Sequence, residues 1–403
     1  MSDVPSVSAN AAPEPADSPS RSISFLHIVR HFKSCKDPRS YINLVHPIEN
    51  VIAMAVMAIL AGANGPTAIA KWANVQKAWL SQFLTLPEGR TPSKDVFLNV
   101  LSLLHPNTFQ SYFCEWIQSL KLQAMEKLEI EKPILNVDGK TLRRSHDKKK
   151  GLKALHAVTI WASELGLTLV QVACHEKSNE ITAIPQALAL VDLRGTIITI
   201  DAMGCQKTIA KQIVDAGGEY VLALKGNQET LHKQAIEFID EQLANDFAGC
   251  DAQQICITEK LHGEKETRIY TQFPLPEDFP LLKDWTGLKS IGTAVRFYKV
   301  NGYETSDVRH FICALDVDVE EFARATRGHW GIENGCHYTL DMTFREDYSR
   351  LREEKARQNH AFLNRLTLSL LKQHPGNNSI SMKRQMCGWD PNFLLEVLTG
   401  TTT

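Results

Sequence analysis

From Phe25 to about Leu128 apolar residues recur at helical spacing, with breaks at Pro38, Gly65-Pro66, Pro87 and Pro106. That pattern predicts a small all-helical domain of four or five helices over residues 25–130. Its longest apolar run, Val51–Ala63, is short of the ~20 residues a membrane-spanning helix needs and predicts a buried core helix instead. At Lys132-Pro133 the texture changes. Ile134–Gly139 predicts a buried strand that ends at Asp138 and a turn. His156–Trp161 and Leu167–Cys174 predict two more strands, and Asn179–Leu190 a helix. The β-branched run Thr196–Asp201 suits a strand buried on both faces. Lys207–Ala216 is amphipathic, Gly217-Gly218 stops it, and Tyr220–Leu224 is again a strand. Three strands, helix, strand, helix, strand is the order of a mixed α/β sheet. Residues 250–315 are β-rich, with a hairpin signal at Asn301-Gly302. Val319–Leu340 and Asn359–Lys372 follow as helices, and Phe393–Leu398 predicts a short docked helix in a C-terminal segment, 374–403. Residues 1–24, rich in Ser, Pro and Ala without an apolar stretch, predict a disordered tail rather than a signal peptide.

The length of 403 residues allows two or three domains, and 43% hydrophobic with 22% charged residues are ordinary globular values. Lys plus Arg (44) nearly balances Asp plus Glu (46), which excludes a histone-like binder but leaves room for a local basic face. Nine cysteines without a CxxC pair suggest neither a disulfide framework nor a zinc site, and a reducing cytoplasm fits best. No G-x-G-x-x-G follows a strand and no P-loop is present, so a nucleotide-cofactor oxidoreductase ranks low.

Asp138 ends a hydrophobic strand, where open α/β sheets present ligand sites, though an Asp-Gly turn reads equally well for one residue alone. Asp201 ends a second buried run, and helix capping is its simpler role. Two acids ending two strands of one sheet repel each other unless a cation lies between them. A third candidate, Glu333, shares a helical face with His329 and His337 at i, i+4 and i+8. Gly328 and Gly331 on that helix imply close backbone packing or a ligand. A carboxylate trio on two strands and a helix can hold two Mg²⁺ ions for in-line displacement at phosphorus. Lys140, Arg143, Arg144, Lys148, Lys149, Lys150 and Lys153 form a basic cluster after Asp138, read either as a solvated loop or as phosphate contacts. Arg345, Arg350, Arg352, Lys355 and Arg357, interleaved with Glu346, Asp347, Glu353 and Glu354, read as a salt-bridged surface.

Several blocks resemble those of bacterial insertion-sequence transposases, in the branch that includes the H-repeat-associated proteins. They are Val137–Arg143, Asn179–Pro185, Asp201–Lys207, Tyr220–Gln228, His329–Asn334, Leu340-Asp341, Phe344 and Glu346-Asp347, in order from about residue 90 to the C-terminus. The resemblance implies an RNase H-like catalytic domain over 131–373: a mixed sheet flanked by helices, carrying a β-rich insertion and preceded by the helical domain. It implies a DDE triad of Asp138, Asp201 and Glu333 holding two Mg²⁺ ions, with Mn²⁺ able to substitute. Lys140, Arg143, Arg144, Lys225, Asn227 and His329 are the implied DNA contacts. Relatives carry a Tyr-Arg-Glu-Lys signature around the third acid; here His329 stands at the Arg and Leu340 at the Lys. The implied partners are double-stranded DNA, as terminal inverted repeats and target, and a second copy of the chain when assembled on DNA, with no membrane. Two other readings keep the fold: an inactive remnant that binds repeat DNA, and a structure-specific nuclease without strand transfer.

Overall fold

The computed structural model describes residues 44–147, 151–174, 180–261, 264–300 and 303–400, together with 29, 32–33 and 35–41. The expected tail over 1–24, Lys148–Lys150, Asn179 and the Asn301-Gly302 turn lie outside the described residues. Helix α1 (Ile48–Leu60) is apolar on every side and buried from Asn50 to Leu60. A helix of that kind must be surrounded. Around it run α2 (Pro66–Val75), α3 (Lys77–Leu80), α4 (Lys94–Leu103), α5 (Pro106–Ser111) and α6 (Cys114–Leu128). Pro66 and Pro106 open helices, at the position where the missing N–H costs nothing. No helix among the described residues is long and apolar enough to cross a membrane.

A single sheet of nine strands follows, in the order β3-β2-β1-β4-β5-β9-β8-β7-β6, with helices packed against it. Strands β1 (Ile134–Leu142), β2 (Leu155–Ala162) and β3 (Leu167–Ala173) are antiparallel. After α7 (Glu180–Leu188), β4 (Ile197–Ile200) lies parallel to β1. After α8 (Lys207–Asp215), β5 (Glu219–Leu224) lies parallel to β4. Helix α9 (Glu229–Ala244) was not expected; it buries only the single stripe Leu231, Ala235 and Ile239. The β-rich segment is a meander of β6 (Gln253–Leu261), β7 (Glu264–Pro274), β8 (Ser290–Val300) and β9 (Tyr303–Cys313). It is welded to the rest because β9 pairs with β5, Val221 facing Cys313.

The expected turn at Asp138-Gly139 does not occur. Strand β2 offers antiparallel partners all along β1, from Asp138↔Thr159 to Leu142↔Leu155, so β1 continues. Its other neighbour, β4, stops at Ile200 opposite Val137. Asp138 therefore marks the point where β1 loses its parallel partner.

Helix α10 (Val319–Ile332), capped by the Asp318 side chain, crosses the sheet. Its glycines are there for contact: a Cβ on Gly328 would stand 3.1 Å from Ser163 Oγ and 3.3 Å from Ile134. One continuous helix to Leu340 was expected, but Glu333–His337 winds as a π-helical turn before α11 (Tyr338–Met342). Helix α12 (Glu354–Gln373) is buried along most of its length. Two helices close the chain where one was expected, α13 (Ile380–Trp389) and α14 (Pro391–Thr399). The Glu346 and Arg357 side chains turn inward instead of forming a salt-bridged surface. Glu346 pairs with Arg365 and Arg357 donates to the Ser145 and Lys153 carbonyls.

Candidate active site

The β1–β4 register sets Asp138 beside Asp201, each the first residue past the last paired position, Val137↔Ile200. Neighbouring strands lie about 4.8 Å apart, so the two carboxylates share one edge. Asp201 also caps the short turn Ala202–Gly204, and its Oδ1 accepts the Met203 and Gly204 N–H groups. The segment after β5 buttresses this turn: Asn227 Nδ2 donates to the Ala202 carbonyl at 2.5 Å and Gln228 Nε2 to that of Cys205 at 2.9 Å.

Burial pushes the Asp138 carboxyl up to about 7; the Gly139 N–H opposes the rise, and the charges of Glu180, Asp201 and Glu333 add to it. Burial raises Asp201 as well, with Glu180 adding to it and Lys225 opposing. Removal from water and crowding of like charge both disfavour ionised carboxylates. Glu180, in the first turn of α7, is the acid that reading residue by residue missed. Any acid at a helix start is adequately explained by the helix dipole, so nothing local singles it out.

Glu333 opens the π-helical turn and is exposed. An inserted residue of this kind rotates everything after it, and such turns recur at functional sites. The i, i+4, i+8 face is thus broken. His329 and His337 turn to the sheet while Glu333 borders a cleft. Thr199 Oγ1 accepts Asn136 Nδ2 at 2.7 Å and lies 3.0 Å from His329 Nδ1, contacts satisfied when the hydroxyl donates to a neutral ring. Burial and Arg309 bring His329 down to about 4. His337 Nδ1 is 3.4 Å from Asp138 Oδ2, and burial with the Arg365 and Lys140 charges holds the ring near 3, so it is neutral at physiological pH.

The basic candidates separate by exposure. Lys140 is 7% exposed and its ammonium is 2.6 Å from Asp341, so it faces a carboxylate rather than solvent. Arg143 is exposed beside Asp347, and the Arg144 guanidinium lies over the Tyr348 ring. Lys225 and Asn227 are exposed next to Asp201. A feature with no local signature in the chain is a cleft of about 610 Å³ between β7, β8 and β9 and the α10 end. Five basic side chains line it, Lys265, Arg268, Arg296, Lys299 and Arg309, against two carboxylates, Glu266 and Glu333. Trp330 sits under Arg268 and Arg309. Alternating charges on β strands look like a solvated face; only the pairing Arg268↔Arg296 assembles them.

No three His, Cys, Asp or Glu side chains among the described residues stand close enough to hold one metal ion as they are. The chemistry of the donor set nevertheless fits a divalent cation. The acids are hard carboxylate donors that raise one another, and an imidazole beside Asp138, His337, is neutral and has a buried Nε2 without a partner among the described residues.

Residues 29–117 match the family described as DDE_Tnp_1-associated, and residues 129–370 the family described as Transposase DDE domain. The chain is 33% identical over 381 residues to "Putative transposase YncI" of Escherichia coli O157:H7, covering 93% of this chain and 95% of that protein. It is 30% identical over 380 residues to "H repeat-associated putative transposase YhhI" of Escherichia coli strain K12, covering 93% and 98%.

Proposed function

The chain belongs to the DDE transposase family, and on that premise we propose that it is an insertion-sequence transposase. It binds the terminal inverted repeats of its element, cleaves DNA and joins the freed ends to a target, with Asp138, Asp201 and Glu333 as the acidic centre. One observation carries this reading. Asp138 and Asp201 stand side by side just where the parallel pairing of adjacent strands stops, and Glu333, whose charge reaches Asp138, borders a cleft lined by five basic side chains. The half of the sheet from β3 to β5 is read as RNase H-like, with β6–β9 as the insertion.

The three acids would hold two Mg²⁺ ions, or Mn²⁺, whose charge activates an attacking oxygen and stabilises the leaving one at phosphorus. Water attacks the scissile phosphorus and the 3′-oxygen leaves as a hydroxyl, which then attacks a target phosphodiester, forming the new P–O bond as the target's own 3′-oxygen leaves as a hydroxyl. The chain's own part is to fix geometry. The Ala202–Gly204 turn and the Asn227 and Gln228 amides hold Asp201. His337 abuts Asp138, and His329 ties α10 to β4 through Thr199. Arg143, Arg144, Lys225 and Asn227 join Lys265, Lys299 and Arg309 of the cleft as phosphate contacts, whereas Lys140 acts by positioning Asp341 and Arg268 and Arg296 are held by Glu266. Pairing two DNA ends requires a homodimer on DNA.

The test uses an element-end duplex with Mg²⁺. Asp138→Asn, Asp201→Asn or Glu333→Gln each lowers strand cleavage by about a thousandfold while repeat binding persists, and double variants are no worse than single ones. Retained cleavage in one variant removes that residue from the triad. A wild-type protein that binds repeats and never cuts is the inactive remnant. Cleavage without joined products marks a nuclease instead.

A further inference from the structure

Two arginines one turn apart tie α10 to the two halves of the sheet. Arg324 holds Glu164, just ahead of β3, at 2.8 and 3.0 Å and donates to the Lys132 carbonyl at 3.1 Å. Arg327 reaches to the insertion. Its Nη1 and Nη2 donate to Glu259 Oε1 and Oε2 of β6 at 2.9 and 2.8 Å. Strand β6 ends the sheet and is the insertion strand furthest from the β5–β9 joint. Six residues beyond Arg327 the helix has given way to the turn that Glu333 opens.

Charge balance within the insertion does not require Arg327. Glu259 stands directly opposite Glu266 in the β6–β7 register, a like-charge pairing that is destabilising when left alone. Arg268 donates to Glu259 at 3.2 Å and pairs with Glu266, and Arg296 donates to Glu266 at 2.7 Å. Two guanidiniums on β7 and β8 thus already match the two carboxylates. The third comes from α10, and Glu259 turns both oxygens to it. The Arg327 and Glu259 side chains are 37% and 34% exposed, and an ion pair so open to water adds little to stability. A planar fork closed on a carboxylate does fix direction. One turn on, Gly331 lies against the other half of the sheet, where a Cβ would stand 3.1 Å from Ser163 Cβ. The end of α10 is therefore located by both halves.

We propose that Arg327 and Glu259 are positioning residues for Glu333: the insertion, through its outermost strand, sets where the end of α10 carries the third acid. This rests on reading Glu333 as a member of the acidic centre. The insertion then serves cleavage through this pair without Arg327 or Glu259 touching DNA.

The experiment measures strand cleavage of an element-end duplex by the full-length protein with Mg²⁺, urea unfolding, and amide hydrogen exchange over residues 328–338. Glu259→Gln and Arg327→Lys each break the two-pronged pair. Each is expected to lower kcat about tenfold or more, leave KM within about threefold, and speed exchange over Glu333–His337 with the urea midpoint unchanged. A merely structural pair predicts a lower midpoint with kcat unchanged wherever the protein is folded. A phosphate contact predicts a raised KM in Arg327→Ala that Arg327→Lys restores. Either result overturns the proposal. Should Glu259→Gln fail to fold, Arg327→Lys is read in its place. Glu333→Gln runs alongside. If it abolishes cleavage while Glu259→Gln and Arg327→Lys keep full kcat, only the positioning assignment falls. If it leaves cleavage intact, the reading of the acidic centre fails and this assignment with it. In a protein that binds repeats and never cuts, exchange decides alone, and unchanged protection over Glu333–His337 overturns the assignment.

Discussion

His360, on α12, is 3% exposed, and burial together with the Arg384 charge drives its ring down to about 4. In the unfolded chain the same ring titrates near 6.5. Between those values the unfolded state holds the extra proton, so this contribution is complete above pH 6.5 and is lost as pH falls through 4. We expect His360→Asn to flatten the acid limb of the stability curve by at most about 3 kcal/mol across that window, measured by urea unfolding at pH 4.5 and 7. The comparison is between pH values, because the substitution also changes packing. At this same scale, Asp138 and Asp201 stood out as candidates because each closes a β-branched or apolar run, and Glu333 because of the block around it. Lys140 shows the limit of such reading. One more Lys in a basic run gives no sign that it will turn inward to Asp341, which lies on another element and far along the chain.

Helix α10 carries the approach of Glu333 to the sheet, and its seat depends on small residues beneath it. A Cβ on Gly292 of β8 would stand 2.3 Å from the Phe322 ring, which is fully buried. Gly292→Ala must push the ring and the helix outward, at a cost of about 1–3 kcal/mol. It should lower the unfolding midpoint and slow cleavage, while repeat binding is spared. Equal loss of binding and cleavage would show that α10 does not specifically serve the acidic centre. Most elements follow from hydrophobic period alone, since strands such as Ile197–Ile200 and helices such as Lys207–Asp215 bury faces that local sequence encodes. Pairing over long range does not follow from period. Strand β1 passes straight through an Asp-Gly pair because β2 happens to supply partners, and a π-helical turn has no residue signature that a 3.6-residue period can reveal.

Across the whole molecule the first described helices meet the closing ones. Arg384 of α13 is 5% exposed; it donates to the carbonyls of Ile59, Ala63 and Thr343 and to Asn64 Oδ1, and lies over the Phe344 ring. These contacts join α1, the segment after α11 and the closing helices. Removing the guanidinium orphans several buried carbonyls at once, so Arg384→Ala should cost about 2–4 kcal/mol. Chemical unfolding would read this, and a loss below 1 kcal/mol would mean the ends are held by apolar contact instead. For the cleft, Lys265→Ala and Lys299→Ala each remove an exposed cation. Each should reduce the slope of log binding constant against log salt by about 1, measured on element-end DNA. An unchanged slope would place the DNA elsewhere.

The pairing of β5 with β9 also has a timetable. Val221 leaves the ribosome roughly 90 residues before its partner Cys313, a gap of roughly 5 to 20 seconds at ordinary synthesis rates. Until then β5 presents a bare row of amides and carbonyls on one side, the kind of edge that recruits stray strands. A nascent chain halted in that interval is therefore at its most prone to aggregate, and ribosomes stalled between codons 225 and 300 should yield insoluble product while those released after 320 should not.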